Sequence, residues 1–230
     1  MAKLTKKMKA VLTDFDKQKN YSLLEAIKIA QSKSITKFDG SISIAIKLNL
    51  DTTKVEQQLR GSISLPHGNG KEVRILLLTD DTFSDADLKT AGVDHVMGSQ
   101  DLVNIEKMLN QIDLIITNQK MMPMLAKYGK LLGPRGLMPN PKIGTVANDV
   151  LKAVADFKKG RIEYRTDTYG NIHMAIGKVS FDAKKIEENA ISLINLIKSK
   201  KPSTVKGQYI QNISVSPTMG PGVKVTIANN

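Results

Sequence analysis

Residues 65–79, "LPHGNGKEVRILLLT", join two different kinds of text. A proline and two glycines break the chain, and Val73 to Thr79 then form a continuous apolar run bounded by turn formers, the pattern of a strand buried on both faces. "SDADLKTAGVDHVMG" follows with a short helical segment ending at Gly92 and a short strand around Val96. "DLVNIEKMLNQIDLIIT" adds another helix and a third buried strand, Leu114 to Thr117. Strand and helix alternate, which predicts a small Rossmann-like, doubly wound α/β unit with a parallel sheet.

Outward from this segment the pattern changes. On the amino-terminal side, "SLLEAIKIAQS" sets Leu23, Leu24, Ile27 and Ala30 on one helical face, and "SISIAIKLNL" alternates Ile42, Ile44, Ile46 and Leu48 with Ser43, Ala45, Lys47 and Asn49. The second of these is a half-buried strand. On the carboxyl-terminal side, "RIEYRTDTYGNIHMAIGKV" reads as a hairpin turning at Tyr169-Gly170-Asn171, followed by a helix from Ala183 to about Ser199 and strands near Tyr209 to Val215 and Val223 to Ile227. Neither flank has enough strands for a sheet of its own. Joined, they predict an antiparallel sheet backed by helices. The expected architecture has two domains: a discontinuous α+β domain of residues 1–67 plus 159–230, and an inserted α/β domain of residues 68–158. The chain would cross between them at Pro66 to Gly70 and Lys158 to Gly160, paired crossings that suit a hinge.

Charge follows the same division. The 230 residues carry 34 Lys and Arg against 22 Asp and Glu, a formal charge of +12. Residues 68–158 hold 11 basic and 11 acidic side chains, so the two ends carry all of the excess, +6 in residues 1–67 and +6 in residues 159–230. A surplus of this kind points to a polyanionic partner, with nucleic acid ahead of anionic lipid. The chain has no cysteine, which removes disulfides, thiolate nucleophiles and cysteine-ligated zinc. The opening "MAKLTKKMKAVLTDFDKQ" loses its apolar character too soon for a signal peptide, and "VRILLLT" is too short to span a bilayer, so a cytoplasmic protein without a membrane partner is expected.

Catalytic chemistry is poorly supplied. His67, His95 and His173 stand in unrelated contexts without metal-ligand spacing. The Gly-x-Gly of "HGNGK" precedes its strand, whereas a dinucleotide fingerprint follows the strand and opens a helix; no phosphate loop of the G-x-x-x-x-G-K-[ST] type is present. Neither a catalytic site, a metal nor a cofactor is expected. Aromatic residues make up only 4% and tryptophan is absent, so recognition by stacking bases across a sheet is disfavoured, while contacts to phosphate, 2′-hydroxyl and groove shape remain open. "TKFDGS" offers Lys37, Phe38 and Ser41 just before a strand. "SPTMGPG" combines exposed backbone at Gly220, Pro221 and Gly222 with the Thr218 hydroxyl and the flexible Met219.

"LPHGNGK", "KYGKLLGPRGLMPNPKIGTV", "KKGRIEYRTD", "GNIH" and "TMGPGVKV", in that order and at these separations, resemble the bacterial L-one family of ribosomal proteins, the large-subunit proteins of the mobile stalk beside the tRNA exit site. The resemblance covers essentially the full length. It implies a structural, non-enzymatic constituent of the large ribosomal subunit, a monomer off the ribosome, whose primary RNA surface lies on the domain made from both chain ends. The family's recognition elements fall on Lys37, Phe38, Ser41, Thr218, Met219 and Gly220, with Arg161, Arg165, His173, Pro221 and Gly222 as further contacts. The implied partners are large-subunit rRNA, the deacylated tRNA leaving the exit site, and the protein's own operon mRNA, whose translation it would repress through a similar RNA site. Within "KYGKLLGPRGLMPNPKIGTV", residues 127–146, four cations and no acid occur: Lys127, Lys130, Arg135 and Lys142 suit an accessory contact with rRNA or tRNA phosphate. A ligand-independent reading of the same stretch is a long, proline-stiffened connection between two helices.

Overall fold

A computed structural model of the chain describes residues 5–12, 16, 18–81, 83–100, 102 and 105–226. The chain divides into two compact units, Met1–Gly70 with Tyr164–Asn230 and Lys71–Glu163. No described helix is long and apolar enough to cross a membrane.

The first unit contains helices α1 (Lys6–Leu12), α2 (Leu23–Ser32) and α8 (Ala183–Ser199) and strands β1 (Ser41–Leu48), β7 (Asn171–Lys178), β8 (Ile210–Pro217) and β9 (Val223–Val225). The four strands form one antiparallel sheet in the order β7-β1-β8-β9. Strand β1 alternates strictly along its length, with Ile42, Ile44, Ile46 and Leu48 buried and the residues between them partly open. Helices α2 and α8 cover the buried face with Ala26, Ile27 and Ala30 from one and Ile186, Ala190, Leu193 and Ile197 from the other. Each of these larger aliphatics contributes about 1.5–3 kcal/mol by leaving water. Both helices start on side-chain caps. Ser22 and Glu25 exchange bonds in a capping box ahead of α2, and Asp182 accepts from the Lys184 N–H at the start of α8. The predicted last strand ends at Val225; Ile227 lies outside the described residues.

The predicted hairpin is corrected by strand pairing. The turn exists, held by Asp167, which accepts from the backbone N–H groups of Tyr169 and Asn171 at 2.9 and 2.7 Å. Its arms then part after a single bridge between Thr166 and Ile172. Strand β6 (Arg161–Arg165) pairs with β2 (Arg60–Ser64) in a separate ribbon, while β7 joins β1 over its whole length. Tyr164 directs this choice, because its buried ring lies over Gly61, where an added Cβ would come within 2.7 Å of the phenol oxygen. The bond from the Thr166 N–H to the Leu59 carbonyl, 3.0 Å, continues the same pairing.

The second unit is the predicted parallel sheet. Strands β3 (Ile75–Leu78), β4 (His95–Met97) and β5 (Leu114–Thr117) lie in the order β4-β3-β5. Every residue of β3 is buried, and its side chains divide between the two faces. Leu76 and Leu78 pack with Ile105 of α4 (Ile105–Met108), Leu125 of α5 (Met122–Ala126) and Leu132 of α6 (Gly129–Leu132). Ile75 and Leu77 pack with Leu88 of α3 (Asp85–Ala91) and Val150, Val154 and Phe157 of α7 (Val150–Lys158). Helices on both faces explain why this strand reads as an uninterrupted apolar run.

The Gly/Pro-rich stretch is folded rather than loose. Leu132 and Leu137 enter one core and Ile143 the other. The Thr145 hydroxyl accepts from the Asn140 N–H at 2.7 Å and donates to the Asn140 carbonyl at 3.1 Å, closing a tight loop. The segment then runs beside β5, with a parallel bridge from Val146 to Thr117.

Candidate nucleic-acid interface

The start of β1 and the end of β8 are neighbours, Ile42 opposite Pro217, and this register brings together two loops that are 177 residues apart in sequence. Thr218 knots them. Its hydroxyl accepts from the Ser41 N–H at 2.9 Å and donates to the Ser41 carbonyl at 3.0 Å, while its own N–H donates to that carbonyl at 2.9 Å. The threonine hydroxyl is thus used internally, as a clasp that fixes the loop.

What the knot presents is apolar. Phe38 is 64% exposed and Met219 is 74% exposed, although nothing in their composition keeps them from a core. Met219 is held at φ 61°, the left-handed region that a non-glycine residue rarely adopts. Gly220 turns the chain so closely that a Cβ there would stand 2.4 Å from Pro217 Cγ and 3.1 Å from the Lys33 carbonyl oxygen. Lys37 is exposed beside Phe38, and the nearest carboxylate in sequence, Asp39, is occupied by the Ser180 N–H and hydroxyl at 3.1 and 2.8 Å. Lys37, Phe38, Ser41, Thr218, Met219 and Gly220 therefore meet at one end of the sheet, with Pro221 buried and Gly222 exposed alongside.

Behind this end runs the face of the sheet that the helices leave uncovered. Cross-strand register places Ser43 between Ala175 and Ser216, Ala45 between His173 and Ser214, and Lys47 between Asn171 and Asn212. Lys224 of β9 stands opposite Ser214. These side chains are small or hydrogen-bonding, two are cations and none is acidic, a composition suited to sugar hydroxyls and phosphates. Apart from His173, sequence reasoning missed this face, although the alternation of β1 already separated its polar side. His173 approaches Asp167 at 3.6 Å. Burial pushes the Asp167 carboxyl up, but the Asn171 side chain and the Asn171 and Tyr169 N–H groups outweigh it and hold the group below the usual carboxylate range.

The remaining predicted residues fall elsewhere. Arg165 lines a cleft of about 530 Å³ with Thr52, Gln58, Arg60 and Thr168, at the other end of unit 1 from Thr218. Arg161 belongs to the second unit, where its guanidinium sits over the Phe157 ring at 5.4 Å and 3.8 Å from Asp156. Lys127, Lys130, Arg135 and Lys142 are all exposed in that unit, and Arg135 donates to the Asn110 side-chain oxygen at 2.9 Å. Among the described residues no group of three His, Cys, Asp or Glu side chains is placed to hold a metal.

The chain thus combines an inserted parallel-sheet unit with a basic sheet unit whose two halves meet at the Ser41–Thr218 knot. Residues 27–221 match the ribosomal protein L1p/L10e family, and the chain belongs to it; it is a ribosomal protein, a structural and not an enzymatic class. It is similar over its full length to the large ribosomal subunit protein uL1 of Ureaplasma parvum serovar 3, with 73% identity over 230 residues and all of both chains covered. The uL1 protein of Mycoplasmoides gallisepticum is 59% identical over 98% of each chain, and that of Mycoplasma pneumoniae 52% identical over 99% of each.

Proposed function

We propose that the chain is a constituent of the large ribosomal subunit that binds large-subunit rRNA of the stalk through its first unit, the domain built from both chain ends. The observation that carries this reading is the Thr218–Ser41 knot, which displays Phe38 and Met219 at the end of an acid-free sheet face. Two exposed apolar side chains on a rigid loop can lie against a ribose or base, while the hydroxyl and amide face behind them follows the backbone. The second unit, through Lys127, Lys130, Arg135 and Lys142, assists release of deacylated tRNA from the exit site. The same primary surface binds the protein's own operon mRNA and represses its translation. The protein acts as a monomer off the ribosome and works where ribosomes work, in the cytoplasm.

Titration of the full chain against a stalk rRNA fragment tests the reading. Met219→Asp should weaken binding by ~1–3 kcal/mol, the effect of losing a close contact in such an interface, with the melting temperature nearly unchanged. Wild-type affinity in the folded variant would move the site away from this loop.

A further inference from the structure

The carboxyl-terminal 42 residues, Asn189 to Asn230, contain no acidic residue and five lysines. Four of these, Lys198, Lys200, Lys201 and Lys206, gather where α8 ends and the chain turns back into β8. The turn is closed by the bond from the Val205 N–H to the Pro202 carbonyl, 3.1 Å, and by Lys201 Nζ donating to the Gly207 carbonyl at 3.4 Å. All four are exposed, and none forms an ion pair among the described residues. Of the carboxylates toward this end of the unit, Asp51 is committed to the Thr53 side chain and Lys54 and Asp167 to its own turn, while Glu56 is exposed in the loop after Asp51. The helix dipole accounts for Lys198, in the last turn of α8, but its influence fades within one turn and does not reach Lys206.

The place of this cluster is set by register. Ser41 and Pro217 mark one end of the sheet; Leu48 pairs with Ile210 at the other, and the Asn49 N–H donates to the Tyr209 carbonyl at 2.8 Å, which ties the lysine turn to that far end. Eight residues of strand at ~3.3 Å each separate it from the Thr218 knot by roughly 26 Å. That distance is about three Debye lengths at physiological salt, so the two basic regions act on a polyanion independently. Between them lies the acid-free face of β1, β7 and β8.

We propose that the Lys198–Lys206 turn is a second phosphate-binding site, which holds the backbone of an RNA segment continuing past the Thr218 knot along the open sheet face. The site rests on the RNA-binding reading above. It grips by charge alone, without base contacts, so it adds length and salt sensitivity to the complex rather than sequence preference.

The test compares two RNAs with the full-length protein: a minimal stalk fragment covering the first site, and an extended one reaching at least ~30 Å farther, beyond the strand length estimated above. The variant Lys200→Gln/Lys206→Gln alters only exposed side chains and leaves the Lys201–Gly207 bond in place. On the extended RNA it should flatten the plot of log K against log salt by about 2 and lower affinity on the order of 100-fold near ~150 mM salt; on the minimal RNA both quantities should stay at wild-type values. Equal slopes for variant and wild type on the extended RNA would overturn the second site. Loss of binding to anionic vesicles with RNA binding intact would also overturn it, in favour of a lipid surface. Met219→Asp separates the two readings: if it weakens both RNAs while the lysine variant weakens neither, the first site stands and the second falls, and if the wild type binds neither RNA the reading of the first site falls with it.

Discussion

Met219 joins two properties that selection for stability alone would not combine, a left-handed backbone and an exposed thioether. A non-glycine residue held there costs on the order of 1 kcal/mol. Met219→Gly should therefore keep or raise the melting temperature while lowering RNA affinity, a pair of opposite shifts read by thermal denaturation and filter binding. A variant that loses stability and keeps affinity would contradict the contact role. Thr218→Val differs, because the lost hydroxyl serves two bonds to Ser41; it should destabilise the first unit by about 1–2 kcal/mol as well as weaken binding. In the second unit, Asp113 accepts from Arg74 Nε at 3.0 Å and from Lys71 at 3.2 Å. Burial pushes its carboxyl up, but the Arg74 and Lys71 bonds outweigh burial and hold it below the usual range. A carboxylate with a lowered folded pKa stabilises above its unfolded pKa of about 3.9, and that contribution disappears as pH falls through the folded value. Asp113→Asn should cost about 1–2 kcal/mol near neutral pH, and its difference in melting temperature from wild type should shrink on acidification below about pH 4.

Among the elements, the connection from β2 toward β3 is fixed by a side chain that sequence reading could not single out. Asn189 of α8 is fully buried; it accepts from the His67 N–H at 3.1 Å and donates to the Gly68 and Ile176 carbonyls at 2.8 and 2.9 Å. Asn189→Leu keeps the branched shape but adds bulk and removes the bonds to three backbone groups, so a loss of about 2–4 kcal/mol is expected in denaturant unfolding of the first unit. In a helical pattern this asparagine looks like a polar interruption, since its partners are backbone groups that leave no mark in the sequence. The elements that were legible carry their cause locally. Strand β1 shows a period of two, α8 shows an apolar stripe between an aspartate cap and basic residues, and β3 is apolar throughout because it is covered twice. The β2–β6 ribbon was missed because only Ile63 marks β2 as apolar and its partner is chosen by a tyrosine fitting over a glycine about a hundred residues away. For the candidate site, the two loops were visible as motifs, but the open face between the lysine turn and the knot emerges only from register.

For the whole molecule, the division of charge follows the division of structure. Residues 71–163 carry 13 basic and 12 acidic side chains, leaving 21 against 10 for the other unit. A protein joining residues 1–70 to 164–230 through a short Gly/Ser linker should fold and keep most of the affinity for stalk RNA, whereas residues 71–163 alone should bind at least ~100-fold more weakly, having little surplus charge to release counterions. Filter binding of both on one RNA measures this, and tight binding by the middle piece would reverse the assignment of the two units. The separation of 177 positions between Ser41 and Thr218 also sets a clock. A ribosome adding ~5–20 residues per second completes Lys71–Glu163 as one contiguous stretch while β1 waits roughly 10–35 s for the strand that carries its partner threonine. The knot thus cannot form until Thr218 has been added. Products halted between Glu163 and Thr218 would carry the middle unit without the knot, and on the function proposed above they should bind stalk RNA far more weakly than the full chain.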